Sequence, residues 1–211
     1  MSNMSNLIDG DRRPPAGGRC AAPVYVLLPI DTDAARAEAA ALAEDRARLL
    51  AGQGITVSAD PTRALLQEPG ALGLYEDGIL AGALVLHEDP DMRHWGADGR
   101  EPGLLVSLDP ATVGSSQVGR LLTLWLADHA ADNHLMWVWC EVPSRPGSVD
   151  AASEWLLKHL RGLGWQTRTP AVLSPAGGRV ARLRLGAEAR PALAAAISTP
   201  PAGAPAAVRT P

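Results

Sequence analysis

The sequence contains no phenylalanine, two cysteines and, among 19 basic residues, a single lysine, Lys158. Cys20 and Cys140 are too few for a disulfide framework, which favours a reducing compartment such as the cytoplasm. The longest apolar run, residues 121–127, is interrupted by Thr123, and a membrane helix needs roughly 20 apolar residues. Residues 1–15 contain no apolar core. The sequence therefore predicts neither a secretory signal nor a membrane partner.

The formal net charge is −4 over 211 residues. Nucleic-acid-binding domains usually present a basic face, so this charge argues against a nucleic-acid partner. It suits a cationic or amine-bearing partner. The length predicts one ordinary domain with tails.

Both ends of the chain are rich in small, polar and proline residues. Residues 1–22 cannot bury enough apolar surface to order themselves and predict a disordered tail. Residues 187–211 predict an Ala/Pro-rich C-terminal tail, with one short helix over 187–197. The globular domain is then expected at 23–186.

Apolar periodicity and turn signals predict alternating strands and helices within 23–186. Strands are expected at 24–30, 71–75, 79–87, 104–108, 134–142, 172–173 and 180–185, and helices at 32–51, 61–67, 118–131 and 151–163. The Asp77-Gly78 pair between two apolar runs predicts a hairpin. A β-α-β unit follows at 104–142. The pattern predicts a mixed α/β (α+β) domain with a single central, mostly antiparallel sheet flanked by helices.

The segment 106–122 (VSLDPATVGSSQVGRLL) carries the clearest chemical signal. A strand is expected to end at Leu108, and a helix to start near Gln117 after a Gly/Ser-rich turn. Such a helix N-terminus suits an anion, for example a pyrophosphate. Gly114 and Gly119 would let the backbone approach a ligand closely. The alternative is an ordinary Ser-capped helix after a loop.

This segment resembles the acyl-CoA loop of the Gcn5-related N-acetyltransferase (GNAT) family. In that family, V-x-P at a strand end precedes [RQ]-x-x-G-x-[GA] and a helix. Residues 108–110 (LDP) correspond to V-x-P and 114–119 (GSSQVG) to the loop, one residue further along. Gly114 replaces the family's Arg or Gln, and Gln117 its first Gly. Downstream, 153–165 (SEWLLKHLRGLGW) resembles the family's helix that closes with L-Y-x-x-L-G-F.

The resemblance implies a GNAT-like sheet in which the strands at 104–108 and 134–142 splay apart. It also implies acetyl-CoA, or another acyl-CoA, as co-substrate and an amine as acceptor. The implied contacts with the co-substrate come from Val106, Ser107, Leu108, Gly114, Ser115, Ser116, Gln117, Val118, Gly119, Arg120 and Ser153. The family's general acid is a tyrosine whose position holds Leu160 here. Either water or another side chain protonates the departing thiolate, or the chemistry is altered.

Two carboxylates are candidate catalytic groups. Glu141 ends the Trp-rich strand and could act as base, directly or through water. A solvated glutamate at a strand end is the alternative. Asp109 could bind the amine, or simply cap the following turn.

The acceptor is expected near the loop 88–102. Two histidines and three acids lie within 87–94, but their spacing matches no standard metal site, so no metal is predicted. An acidic loop rimming the acceptor pocket is the expectation, with contacts from His87, Glu88, Trp95 and Trp139. Core packing is the alternative for both tryptophans.

Three functions follow from these features. The first is acyl transfer to a small amine-bearing metabolite or antibiotic. The second is non-catalytic binding of acyl-CoA or a related ligand on a GNAT-like scaffold. The third is a scaffold turned to lyase or hydrolase chemistry on a biosynthetic intermediate. The edges of the last strands could also pair across a homodimer.

Overall fold

The computed structural model describes residues 23–87, 89–113, 116–144, 151–175 and 177–199. Its strands are β1 Tyr25–Pro29, β2 Ala71–Glu76, β3 Ile79–His87, β4 Gly103–Ser107, β5 Trp137–Pro143, β6 Gln166–Leu173, β7 Arg179–Gly186 and β8 Ile197–Ser198. Its helices are α1 Asp33–Gly52, α2 Asp60–Leu65, α3 Pro110–Val113, α4 Ser116–Asp132 and α5 Ala151–Gly162. Single 3₁₀ turns cover Arg93–Trp95, Asp98–Arg100 and Leu193–Ala195. No helix among the described residues combines the length and apolar character that a bilayer span requires.

The strands form one mixed sheet in the order β6-β7-β5-β4-β3-β2-β1-β8. Neighbours from β1 to β4 are antiparallel, as are β5–β7 and β6–β7, whereas β4–β5 and β1–β8 are parallel. The turn between β2 and β3 places Asp77 and Gly78 at φ 48° and 87°. Positive φ at both central residues is what a tight hairpin turn requires. The predicted mixed, mostly antiparallel sheet flanked by helices is confirmed.

Two layers cover the sheet. The rear face packs against α4 and α5, and its core includes Leu122, Leu126, Leu156 and Leu160. The front face carries α1 and α2 over β1–β3, in a smaller core around Ala39. Because side chains alternate along a strand, β5 sends residues 138, 140 and 142 to the rear core and residues 139 and 141 to the front.

The front face of β5–β7 is covered by the connection between β3 and β4. Trp95 in this connection is 2% exposed, and its ring centre lies 5.8 Å from that of Trp139. Arg182 on β7 stacks its guanidinium 5.4 Å from the centre of the Trp95 ring and donates to the Trp95 carbonyl at 3.1 Å. Asp98 accepts two hydrogen bonds from Arg168 on β6, at 2.9 and 3.0 Å. The connection is therefore packed against the sheet and is not a freely solvated acidic loop.

The C-terminal boundary differs from the predicted one. Residues 193–195 form a 3₁₀ turn in place of the helix expected over 187–197, and β8 then pairs with β1. Ile197 is 3% exposed in the rear core. Residues 187–199 therefore belong to the folded domain, because an aliphatic side chain at the sheet edge fixes a segment that composition alone assigns to a tail. Residues 1–22 and 200–211 lie outside the described residues.

Candidate functional site

A gap opens between β4 and β5. Their parallel pairing runs from Gly103–Trp137 to Val106–Cys140, and β5 continues beyond it to Pro143. At the end of the pairing, the Cys140 thiol donates to the Glu141 carbonyl at 3.9 Å and accepts from the backbone N–H of Leu108. Burial raises the pKa of this thiol to about 12, so it stays protonated. The β4–β5 pairing therefore ends at Cys140, where the splay is predicted.

A cavity of about 410 Å³ lies at the open end of this gap. It is lined by Thr56, Val57, Ser58, Pro61, Leu108, Asp109, Pro110, Val142, Pro143, Ala152, Ser153 and Leu156. Its wall is mainly apolar, with polar groups from Thr56, Ser58, Asp109 and Ser153. The structure therefore brings together Leu108, Asp109 and Ser153, three of the residues singled out in the sequence.

Asp109 has a partner in the fold. Its carboxylate accepts a hydrogen bond of 2.6 Å from the hydroxyl of Thr62, which is fully buried on α2. This bond holds α2 against the end of β4. A role for Asp109 toward the amine remains a prediction.

Glu141 lies on the front face beneath the β3–β4 connection. One of its oxygens, Oε1, accepts from the indole N–H of Trp95 at 2.6 Å and also pairs with Nε2 of His94. The Glu141 side chain is 19% exposed. Nδ1 of His94 is buried with no hydrogen-bond partner in the described part of the chain. Glu141 is thus a fixed carboxylate within a Trp/His cluster, not a freely solvated strand end.

His87 and Ser107 meet lower on the same face. Nε2 of His87 lies 2.6 Å from the Ser107 hydroxyl, and its Nδ1 lies 3.6 Å from a carboxylate oxygen of Glu68. His87 and Trp139 both line a cleft of about 1330 Å³, together with residues 89–93 and 99–103 and rear-face side chains such as Leu72, Leu86 and Leu135. The predicted acceptor residues His87, Trp95 and Trp139 are therefore gathered on one face, although Trp95 is a buried anchor. Glu88 lies outside the described residues.

The start of α4 is partly described. Gln117 is exposed and donates to the Tyr25 hydroxyl at 3.0 Å, and Val118 is buried in the rear core. Gln117 and Arg120 line a cavity of about 780 Å³ together with Arg190. The predicted loop residues Gly114 and Ser115, and the side chain of Ser116, are outside the description.

Gly119 lies at the contact between α4 and α5, and its predicted role toward the co-substrate stays a prediction. A Cβ at this position would lie 2.6 Å from Nε2 of His159, 3.0 Å from Val113 and 3.2 Å from Leu163. The missing side chain therefore lets α4 pack against α5. Close approach of a ligand is not needed to explain this glycine.

The partners of these groups carry no signal in the sequence. Thr62, Glu68 and Arg182 hold Asp109, His87 and the Trp95 segment, yet none has a motif around it. The alternation along β3 and β4 could have placed His87 and Ser107 on one face, because the strands are antiparallel neighbours. Leu160, at the family's tyrosine position, is 1% exposed in the rear core.

Comparisons with known proteins give the fold. No protein-family model matches the chain, and no curated protein matches it. A candidate acetyltransferase of the GNAT family from Desulfovibrio desulfuricans aligns with a TM-score of 0.52 at 15% identity, over 79% of this chain and 100% of its own. A GNAT-family acetyltransferase from Listeria monocytogenes aligns at 0.49 and 13% identity, over 76% and 95%. An aminoglycoside 6′-acetyltransferase type Ii aligns at 0.49 and 13%, over 80% and 99%. The chain therefore has the fold of the GNAT acetyltransferases.

Proposed function

We propose that the protein is an acyl-CoA-dependent N-acyltransferase that acts on a small amine-bearing metabolite or antibiotic. The transferred group is acetyl, and transfer is direct, within a ternary complex of donor, acceptor and protein. One observation carries this proposal: β4 and β5 part after Val106–Cys140 and leave a lined cavity at that point of a GNAT fold.

The residues around the gap fit an acyl-CoA. A mainly apolar cavity suits the pantetheine arm. The backbone N–H of Leu108 bonds to a thiol sulfur, a weak acceptor that a ligand carbonyl can displace. The N-terminus of α4 offers its positive dipole end to a pyrophosphate, and Arg120 on its second turn adds a cation beside it.

Glu141 is the proposed base. Its carboxylate faces front, as Trp139 does, and is fixed by two donors. It takes the amine proton directly or through water as the thioester carbon is attacked. Positioning of the two substrates supplies the rest of the acceleration. In this proposal Asp109 orients the amine, and His87 and Trp139 contact the acceptor.

Non-catalytic binding of acyl-CoA is the second candidate. It is favoured by Leu160, which places a buried aliphatic side chain where the family has its acid. Measured turnover with any amine, seen as acceptor-dependent thiol release from acetyl-CoA, would exclude this candidate.

Calorimetric titration with acetyl-CoA and with CoA is the deciding experiment. Micromolar affinity, about −8 kcal/mol, is expected for the wild-type protein. Arg120→Ala should weaken binding about 10-fold or more, because a charge-assisted hydrogen bond contributes roughly 1.5–3 kcal/mol. Arg179→Ala, on the edge hairpin, is the matched control. Absence of binding up to millimolar concentrations would overturn both candidates.

A further inference from the structure

Three side chains from separate segments form a line on the front face. Glu68 lies between α2 and β2, His87 ends β3, and Ser107 ends β4. The Ser107 hydroxyl is 2.6 Å from Nε2 of His87, and Nδ1 of His87 is 3.6 Å from Glu68. The first distance is a short hydrogen bond. The second is an ion-pair distance, and such contacts commonly tighten only when substrate binds.

The order of these groups assigns the protons. A carboxylate can only accept, so Glu68 favours a hydrogen on Nδ1 of His87. Nε2 then carries the lone pair and accepts the proton of the Ser107 hydroxyl. This arrangement activates a serine nucleophile: the hydroxyl is hydrogen-bonded to a histidine, and a carboxylate orients the histidine.

We propose that Ser107 is a nucleophile and that the protein hydrolyses acyl esters and thioesters at this serine. This activity goes beyond amine acylation and does not depend on it. In the proposed site His87 is the proton carrier, and Glu68 is a positioning residue that acts through His87.

The reaction balances without a further co-reactant. The Ser107 oxygen bonds to the acyl carbon, and its proton moves to Nε2 of His87. The bond from the acyl carbon to the alcohol or thiol leaving group breaks, and that group takes the proton from His87. Water then attacks the acyl-serine and gives His87 a proton. The proton returns to Ser107 as the carboxylic acid leaves.

The surroundings of Ser107 allow substrate to approach. Ser107 is only half-buried, and His87, with a side chain 24% exposed, lines the 1330 Å³ cleft.

A fluorophosphonate probe tests this proposal without any acyl-CoA, because it labels activated serines. Intact mass and peptide mapping should show one adduct per chain, on Ser107. S107A should abolish the adduct, and H87Q should slow labelling about 100-fold or more. E68Q should slow it less. S174A, at a serine in the β6–β7 turn, is the matched control and should label as the wild type does.

Hydrolysis of p-nitrophenyl acetate gives the second readout, with an initial burst of nitrophenolate expected in wild type and none in S107A. Circular dichroism confirms that each variant is folded. No adduct, an adduct on another serine, or labelling that H87Q leaves unchanged would overturn the proposal. Acetyl-CoA titration of the wild-type protein separates the two proposals. Affinity for acetyl-CoA without labelling of Ser107 removes only the nucleophile, and labelling without acetyl-CoA affinity removes only the acyltransferase.

Discussion

Individual side chains near the gap are fixed by specific donors. The Trp95 side chain has a single N–H, and burying it without an acceptor would cost about 1–3 kcal/mol. Glu141 supplies that acceptor at 2.6 Å, so the anchor of the β3–β4 connection and the proposed base share one bond. A change at Glu141 can therefore affect both folding and activity, and a test must separate them.

Glu141→Gln separates these two effects. The amide keeps an oxygen that accepts from Trp95, so the melting temperature should change little. It cannot accept the amine proton, so acceptor-dependent turnover should fall about 100-fold or more. Affinity for acetyl-CoA should stay within a few-fold. Glu154→Gln, an exposed change on α5, is the control. Full activity in Glu141→Gln would assign the base to another group.

The Gly119→Ala variant tests whether Gly119 is needed for packing of α4 against α5. In Gly119→Ala the new methyl group meets the His159 ring, which is stacked on Trp155 with ring centres 5.0 Å apart and cannot move freely. Overpacking of this kind costs about 1–3 kcal/mol. Denaturant unfolding should show this loss.

The matched control for Gly119→Ala is Gly162→Ala. Gly162 also lies in a helix, but a Cβ added there would have no described atom of another segment within 4 Å. Alanine favours helix by roughly 0.5–1 kcal/mol over glycine, so this variant should be as stable as the wild type or more so. Equal destabilisation by both substitutions would rule out the packing explanation.

At the level of elements, the two-residue strand β8 closes one edge of the sheet. Ile197 carries this contact, since it is 3% exposed and packs in the rear core. Ile197→Ala should reduce the free energy of unfolding by about 2–5 kcal/mol. Ile79→Ala, at a residue that is 73% exposed, should change it by less than about 0.5 kcal/mol. Urea denaturation of both variants measures the difference, and equal stability would mean that β8 is dispensable.

The elements that the sequence predicted best are those with strong local signals. The Asp77-Gly78 turn and the amphipathic helix α4 are local patterns, and both are confirmed. β6 begins at Gln166, before the predicted 172, because Thr167 and Arg168 on an edge strand show no apolar alternation. The residues that bond to Asp109 and His87 likewise have no local pattern in the sequence. Glu68 and Thr62 acquire their roles only when α2 folds onto the sheet, which no local pattern encodes.

At the scale of the whole molecule, the front face is closed from two sides. Helices α1 and α2 cover β1–β3, and the β3–β4 connection covers β5–β7. The β3–β4 connection is bonded to the edge strand β6 through Asp98 and Arg168. The cleft that His87 and Trp139 line adjoins this cover. Access to the proposed acceptor site therefore depends on how firmly the cover is attached.

Low pH should weaken the contact between Asp98 of the β3–β4 connection and Arg168 of β6. Hydrogen bonds from Arg168 hold the pKa of Asp98 below its ordinary value. A depressed folded-state pKa stabilises the fold fully above the unfolded pKa, about 3.9, and this contribution is lost as pH falls through the folded value. The free energy of unfolding should thus decline more steeply below about pH 4 in the wild type than in Asp98→Asn. Urea titrations at a series of pH values measure both slopes.

Asp132→Asn, at an exposed helix end, should keep the wild-type slope. An acid slope that survives in Asp98→Asn would show that other carboxylates, and not the anchor of the cover, govern acid unfolding.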